Sequence, residues 1–325
     1  MNPTCIPQKE LREIFNRYFL DEDISYSIIK TGIENTNYLL KISKGKFVLR
    51  IYNKKRKRAD IQAELDLIHY LQGHQIAIPK LIPNLAKEEI TISQNNFAVL
   101  FSFVKGTHPP WKYMNIKLAN NIGIELALMH NFLLEFNPKL NQTSTLVTHF
   151  VDTSKLSKIG PEIVTYHNDI REELMDISLK KMRISIIHAD ITRENLIVKD
   201  NFLLAFLDFD DSHRDYLAWD LAIALTHLFI AKSFGIDWAG MRSFMSGYLS
   251  RFSLIKPEQQ ALLPFMKLRN LKLLISVYQK RKDLSASKKL LSSIEESALK
   301  KLELIRNNES KLKDFFGKVF NIENL

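Results

Sequence analysis

The stretch "SIIHADITRENLIVKDNFLLAFLDFDDSH", Ser185 to His213, sets five aspartates, one glutamate, two asparagines and two histidines among runs of Ile, Leu and Phe. Isolated ionised groups are costly to bury, so these carboxylates should be paired, bound to a cation or held at the rim of a cleft. Spacing narrows the choice. Asn195 follows Asp190 by five residues, and Asp208 follows Asn195 by thirteen, with a hairpin expected between them. Such a hairpin brings Asn195 and Asp208 together at its base while Asp190 stands on the preceding loop. Mg²⁺ takes oxygen ligands, commonly one or two carboxylates completed by water and phosphate oxygens. Asn195 and Asp208 offer such oxygens, and Asp190 is left to face an attacking hydroxyl. That division of labour suits phosphoryl transfer, which needs positioning and charge neutralisation more than covalent help.

Upstream, a first helix is followed by three short strand patterns, "SYSIIK" (Ser25 to Lys30), "NYLLKI" (Asn37 to Ile42) and "KFVLRIY" (Lys46 to Tyr52), close enough to form an antiparallel meander. Ile61, Leu65, Ile68 and Leu71 repeat at helical spacing, with an end expected near Gly73. "IAIPKLIP" and "NNFAVLFSFV" add strands, and "KGTHPPW" breaks the pattern, so a boundary is placed near Val104. Beyond it the chain is largely helical, apart from "ISIIHAD", "NLIVKD" and "LLAFLDF". The expected fold is α+β and bilobal: a small antiparallel-sheet lobe over residues 1–103, a larger, mostly helical lobe over 104–325, and a cleft between them.

Composition excludes several classes. No window nears eighteen uninterrupted apolar residues, so no membrane span is expected. The amino terminus turns charged within ten residues and then helical, unlike a secretory signal. Cys5 is the only cysteine, so no internal disulfide can form, and a cytoplasmic setting is expected. The net charge of +10 owes much to the run Lys54 to Arg58, which stands beside no zinc spacing or RNA-binding signature. It is read as a solvated turn into a helix, and nucleic acid is not an expected partner.

"HADITRENLIV" followed by "FLDFDD" resembles the catalytic and metal loops of the aminoglycoside phosphotransferase and choline kinase superfamily, kin of the protein kinases. "GIENTNYLL" and "FVLRIY" are similar to the nucleotide loop and third strand of type II homoserine kinases within it. "DYLAWDLAIAL" resembles the segment whose Asp, here Asp220, braces the catalytic loop. The resemblance spans about Ile28 to Leu228. It implies a protein-kinase-like fold and an ATP- and Mg²⁺-dependent kinase of a small hydroxylated molecule. Asp190 would orient and deprotonate the hydroxyl, and Asn195 and Asp208 would hold metal. The nucleotide would meet Gly32, Asn35 and Thr36 at its phosphates, Val48 at its base, Arg50 paired with Glu64, and backbone from Ser102 to Val104 at the adenine.

The strand itself supports part of this. With period two, Phe47, Leu49 and Ile51 share a face, leaving Val48 and Arg50 on the other. Glu64 lies on the inward edge of the next helix, within reach of Arg50; an ordinary salt bridge is the plainer alternative. Three departures from the family stand out: Arg50 for Lys, Ala189 for the catalytic-loop Gly at little expected cost, and Gly32 as the one glycine where the loop usually has three. His188 is read as a core imidazole bonded to the loop backbone. The acceptor is expected to be homoserine or a similar amino alcohol, with Asp210, Asp211 and Asp215 available to an ammonium group and Arg193 or Arg214 to a carboxylate; solvation or support of Mg²⁺ by Asp210 and Asp211, and pairing of these charges with one another at the cleft rim, are the alternatives. Aminoglycosides, choline or ethanolamine, hydroxylysine and protein serine remain open. Two rivals belong to other classes. "FLDFDDS" fits the Asp-x-Asp of haloacid-dehalogenase-like aspartyl-phosphate phosphatases, which require alternating strands and helices afterwards. A non-catalytic pseudokinase would explain Arg50 and the glycine-poor loop, but has no use for Asp190.

Overall fold

Leu11, Ile14, Phe15 and Tyr18 recur at helical spacing and are all buried, giving α1 (Gln8–Asn16) and the turn after it one apolar face. That face packs on Tyr38, Leu40, Leu49, Ile51, Ala98 and Leu100, the inward residues of a sheet. Fully burying each such side chain contributes about 1.5–3 kcal/mol. The computed structural model describes residues 6–20, 23–29, 35–94, 96–136, 160–281 and 288–321. It divides into two compact units, Met1–Gly106 with Leu204–Leu207, and Thr107–Leu203 with Asp208–Leu325.

The sheet of the first unit is antiparallel, in the order β1 (Ser25–Ile29), β2 (Thr36–Ile42), β3 (Gly45–Ile51), β6 (Asn96–Ser102) and β4 (Leu81–Ile82), with β5 (Thr91–Ser93) also on β6. Register places Asn37 opposite Arg50 and Arg50 opposite Val99. The face of Phe47, Leu49 and Ile51 is covered by α1, whereas α2 (Arg58–Gly73) supplies the partner of Arg50. Of "IAIPKLIP" only Leu81 and Ile82 pair as strand, and α2 is stopped by Gln75 in the left-handed region (φ 61). Arg56, in the basic run, turns toward Glu64 at 3.7 Å instead of standing free in solvent.

In the second unit, α3 (Ile116–Glu135) and α6 (Trp238–Leu249) touch backbone to backbone. A Cβ on Gly123 would collide with the Phe244 carbonyl, and one on Gly247 with that of Asn120. Asp237 caps α6 through the Gly240 N–H at 2.9 Å and also takes the Met114 N–H at 2.7 Å. α4 is Pro161–Met175, and α5 (Leu217–Phe229) is buried on nearly every side. α7 (Lys256–Lys280) packs on α5, on α4 and on α8 (Lys288–Asn307); α9 (Glu309–Asn321) ends the described chain. Three short strand pairs lie outside the sheet of the first unit: β7 (Ile184–Ile187) with β10 (His213–Tyr216), β8 (Leu196–Lys199) with β9 (Phe202–Phe206), and β11 (Ile230–Ala231) with β12 (Gly235–Ile236). Fully buried Glu258, in the first turn of α7, accepts the Arg183 N–H at 3.0 Å and its Nε–H at 2.9 Å. That carboxylate ties α7 to the start of β7, the strand that feeds the acidic loop.

Candidate active site

The loop leaving β7 is built around Asp220, in the first turn of α5 and wholly buried. Its carboxylate accepts the backbone N–H groups of His188 and Ala189, each at 2.9 Å, and faces His130 Nε2 at 3.3 Å. Burial alone would raise this carboxyl; the His130 hydrogen bond and the charges of His130 and His188 outweigh it and hold Asp220 below the usual carboxylate range. Held this way, Ala189 adopts φ 66, a left-handed conformation that costs a residue with a Cβ roughly 1–2 kcal/mol. The replacement of glycine here therefore carries a larger strain than its size suggests. Asp208 is left-handed as well (φ 67). His188 accepts the Asp190 N–H on Nδ1 at 3.3 Å, and its ring lies 4.5 Å from that of Phe209, joining the two acidic loops.

Asp190 is gripped from two sides. Asn195 Nδ2 donates to its Oδ2 at 2.7 Å and to its carbonyl at 3.0 Å, while Arg269 Nη2 of α7 donates to Oδ1 at 2.9 Å. The Asp190 side chain is still 30 % exposed. With Nδ2 engaged, Asn195 Oδ1 has no hydrogen-bond partner among the described residues. That amide oxygen and the Asp208 carboxylate fit a hard divalent cation. No group of three or more His, Cys, Asp or Glu able to hold a metal occurs among the described residues. A cation on Asn195 and Asp208 would thus complete its shell with phosphate oxygens and water.

In the first unit, Arg50 Nη1 meets Glu64 Oε1 at 3.2 Å and Nε meets Asn37 Oδ1 at 3.3 Å, with the Phe101 and Tyr52 rings 5.7 and 6.0 Å from its guanidinium carbon. Asn35 Oδ1 accepts the Asn53 N–H, Thr36 is buried at the start of β2, and Val48 pairs with Phe101. Ser102 exchanges two hydrogen bonds with Lys80, and the Phe103 N–H goes to Lys46. Of the expected adenine-binding backbone, Val104 alone makes no hydrogen bond to the described residues. Gly32 lies outside the described residues, as does Cys5.

A model of the "Phosphotransferase enzyme family" matches residues 25–247. The chain belongs to that family. It is a small-molecule phosphotransferase enzyme. Among curated relatives, a homoserine kinase of Rhodopseudomonas palustris (strain BisB5) is 25 % identical over 264 residues, 80 % of each chain. One of Agrobacterium fabrum (strain C58 / ATCC 33970) is 26 % identical over 264 residues, 80 % of this chain and 81 % of the relative. Among solved structures, a microcompartment-associated aminopropanol kinase superposes with TM-score 0.72 at 17 % identity, covering 94 % of this chain and 98 % of the other. The amicoumacin kinase hAmiN in complex with AMP-PNP and Ca²⁺ gives 0.71 at 16 %, covering 93 % and 94 %. These likenesses establish the kinase-like α+β fold. No described helix is long and apolar enough to cross a membrane.

Within this phosphotransferase family frame, some expected contacts fall elsewhere. Arg193 is not offered to a substrate: it is 1 % exposed, with Nη1 on the Lys112 carbonyl at 3.0 Å, Nη2 on that of Leu228, and the Trp111 and Phe234 rings 5.9 and 5.5 Å away. Burial drops its guanidinium to about 10, against the pull of Asp237 and Glu194. Asp215 is likewise buried, accepting the Tyr216 N–H and facing His213. Asp210 is half-buried, Asp211 exposed and Arg214 half-buried on β10. Sequence reasoning missed Arg269, His227 and Lys301. Arg269 is 79 residues from Asp190, in a helix whose apolar and basic residues mix on all sides, and His227 only interrupts the largely apolar run of α5.

Proposed function

We propose that this enzyme transfers the γ-phosphoryl group of ATP, supplied with Mg²⁺, to the hydroxyl of a small molecule, with homoserine or a similar amino alcohol the first acceptor to test. One observation carries the reading: Asp190 is fixed by Asn195 and Arg269, yet its carboxylate stays open to an incoming group. An oriented carboxylate can accept the hydroxyl proton as the oxygen becomes a nucleophile. Asn195 and Asp208 would hold the cation, whose charge neutralises the phosphate oxygens. Arg50, set by Glu64, would face phosphates together with Asn35 and Thr36; Val48 would cover the base and Val104 would meet the adenine edge. Asp210 and Asp211 would meet an ammonium group of the acceptor. The homoserine choice rests on the curated relatives, and the aspartyl-phosphate alternative is disfavoured because, among the described residues, five helices and no alternating strand–helix sheet follow Asp208.

The test is a panel of acceptors, with ATP and Mg²⁺: homoserine, ethanolamine, choline, hydroxylysine, kanamycin and a protein substrate. Transfer to homoserine supports the reading. ATP binding without transfer to any acceptor would favour a pseudokinase, and transfer only to choline or kanamycin would remove the amino-acid acceptor.

A further inference from the structure

Behind Asp190 stands a set of cations that phosphoryl transfer does not use. Arg269 spends Nη2 on Asp190 and aims Nε at His227 Nε2, 3.1 Å away; its Nη1 has no partner among the described residues. From the other side of that ring, Lys301 Nζ of α8 lies 3.4 Å from Nδ1. A neutral imidazole has one lone pair, so two cationic donors converge on a single acceptor. Burial, then the charges of Lys301 and Arg269, push the His227 pKa well below its ordinary value, so the ring stays neutral and can accept from one of the two cations at most.

Lys301 is 7 % exposed and makes no ion pair among the described residues. The contrast with Lys267 of α7, equally buried, is direct: that ammonium sits 2.7 Å from Glu173 and 2.9 Å from Glu309. Burial, aided by Arg269 and Arg193 and opposed by Glu194, takes Lys301 down to about 8. Lys272, one turn beyond Arg269 and 5.1 Å from the Trp219 ring, is lowered to about 8 chiefly by burial, against Asp215. The acids facing Arg269 and Lys301 are Asp190 and Glu194, and the first already belongs to Arg269. Buried positive charge with too few counter-charges is stabilised by an anion.

We propose that Arg269 Nη1 and Lys301 Nζ form an anion subsite for a carboxylate of the acceptor, so that the acceptor is a hydroxylated acid and not a hydroxylated amine alone. The proposal rests on the reading that Asp190 receives the acceptor hydroxyl. His227 is then a positioning residue that spaces the two cations.

Two pairs of compounds test it, each pair differing in the carboxylate: homoserine against 3-aminopropan-1-ol, and glycerate against glycerol. Transfer from ATP is measured as kcat and KM, and binding by calorimetry with an unhydrolysable ATP analogue and Mg²⁺ present. The wild-type protein should prefer an acid over its partner by about 100-fold or more in kcat/KM, because a site built for a polar group rejects the compound lacking it. Lys301→Met should raise the KM of the acid about tenfold or more while kcat changes only a few-fold, and Lys301→Arg should restore much of the affinity. Equal or better use of the carboxylate-free partner by the wild-type protein overturns the subsite and leaves the phosphotransferase reading standing. If neither pair is phosphorylated, binding decides. Acid-specific heat that vanishes in Lys301→Met keeps the subsite and removes the transfer reading; no acid-specific heat overturns the subsite.

Discussion

Two arginine–carboxylate pairs, Arg50–Glu64 and Arg269–Asp190, have N···O distances of 3.2 and 2.9 Å but are built for different work. In the first, the side chains are 11 % and 2 % exposed; in the second, 16 % and 30 %. A closed pair sets the position of its arginine and is costly to break, because the surviving charge stays buried. An open pair leaves its carboxylate reachable, so a substrate can meet it without the pair being dismantled. The difference sets a buried fixture apart from a pair whose carboxylate a substrate can reach.

The sharpest way to break the comparison is at Asp190. Asp190→Asn should lower kcat by about 10²–10⁴ with nucleotide affinity within a few-fold, since the role is felt in the transition state. Near-normal turnover by steady-state kinetics would reduce Arg269–Asp190 to another fixture.

Next in size is Asp220, which holds the loop that presents Asp190. Asp220→Ala strands two loop amides and His130, and should cost about 3–5 kcal/mol in denaturant unfolding. Because the folded pKa of Asp220 is lowered from the ordinary 3.8, its contribution is present above that value and is lost as the pH falls through the folded one. Acid unfolding of the wild type should therefore show a component below pH 3.8 that Asp220→Ala lacks.

The first pair is tested by Arg50→Ala, expected to raise the KM for ATP by about tenfold, more than it affects the acceptor. An effect confined to the acceptor would move Arg50 away from the phosphates. The smallest effect is expected at Ala189→Gly. Glycine relieves the left-handed strain but loosens the unfolded chain, for a net gain of up to about 1 kcal/mol in thermal unfolding.

Arg50–Glu64 was legible in the sequence because strand parity and helix spacing are local rules: Arg50 alternates with Leu49 and Ile51, and Glu64 lies beside Leu65 on an inward edge. The rule did not say which helix covers which face, and α1, not α2, proved to cover Leu49. The closeness of Asn195 to Asp190, and the hairpin that carries the chain from Asn195 to Asp208, were legible because both are set by short spacings. Arg269 and Lys301 were not, since helix-to-helix packing across 79 and more residues leaves no periodic trace, and the helices lie beyond the clear family resemblance. Arg193 was misjudged for a related reason. An arginine in a polar loop looks available until aromatic rings and carbonyls close over it.

On the proposed reading, Asp190 presents an acceptor hydroxyl to the γ-phosphoryl group of ATP. Phosphorus NMR of the protein with ATP, Mg²⁺ and homoserine follows every phosphorus species at once. The expected result is a new phosphomonoester resonance growing in step with ADP, and almost none over the same period with Asp190→Asn. Free phosphate and ADP without a phosphomonoester, or equal rates in the two proteins, would contradict it.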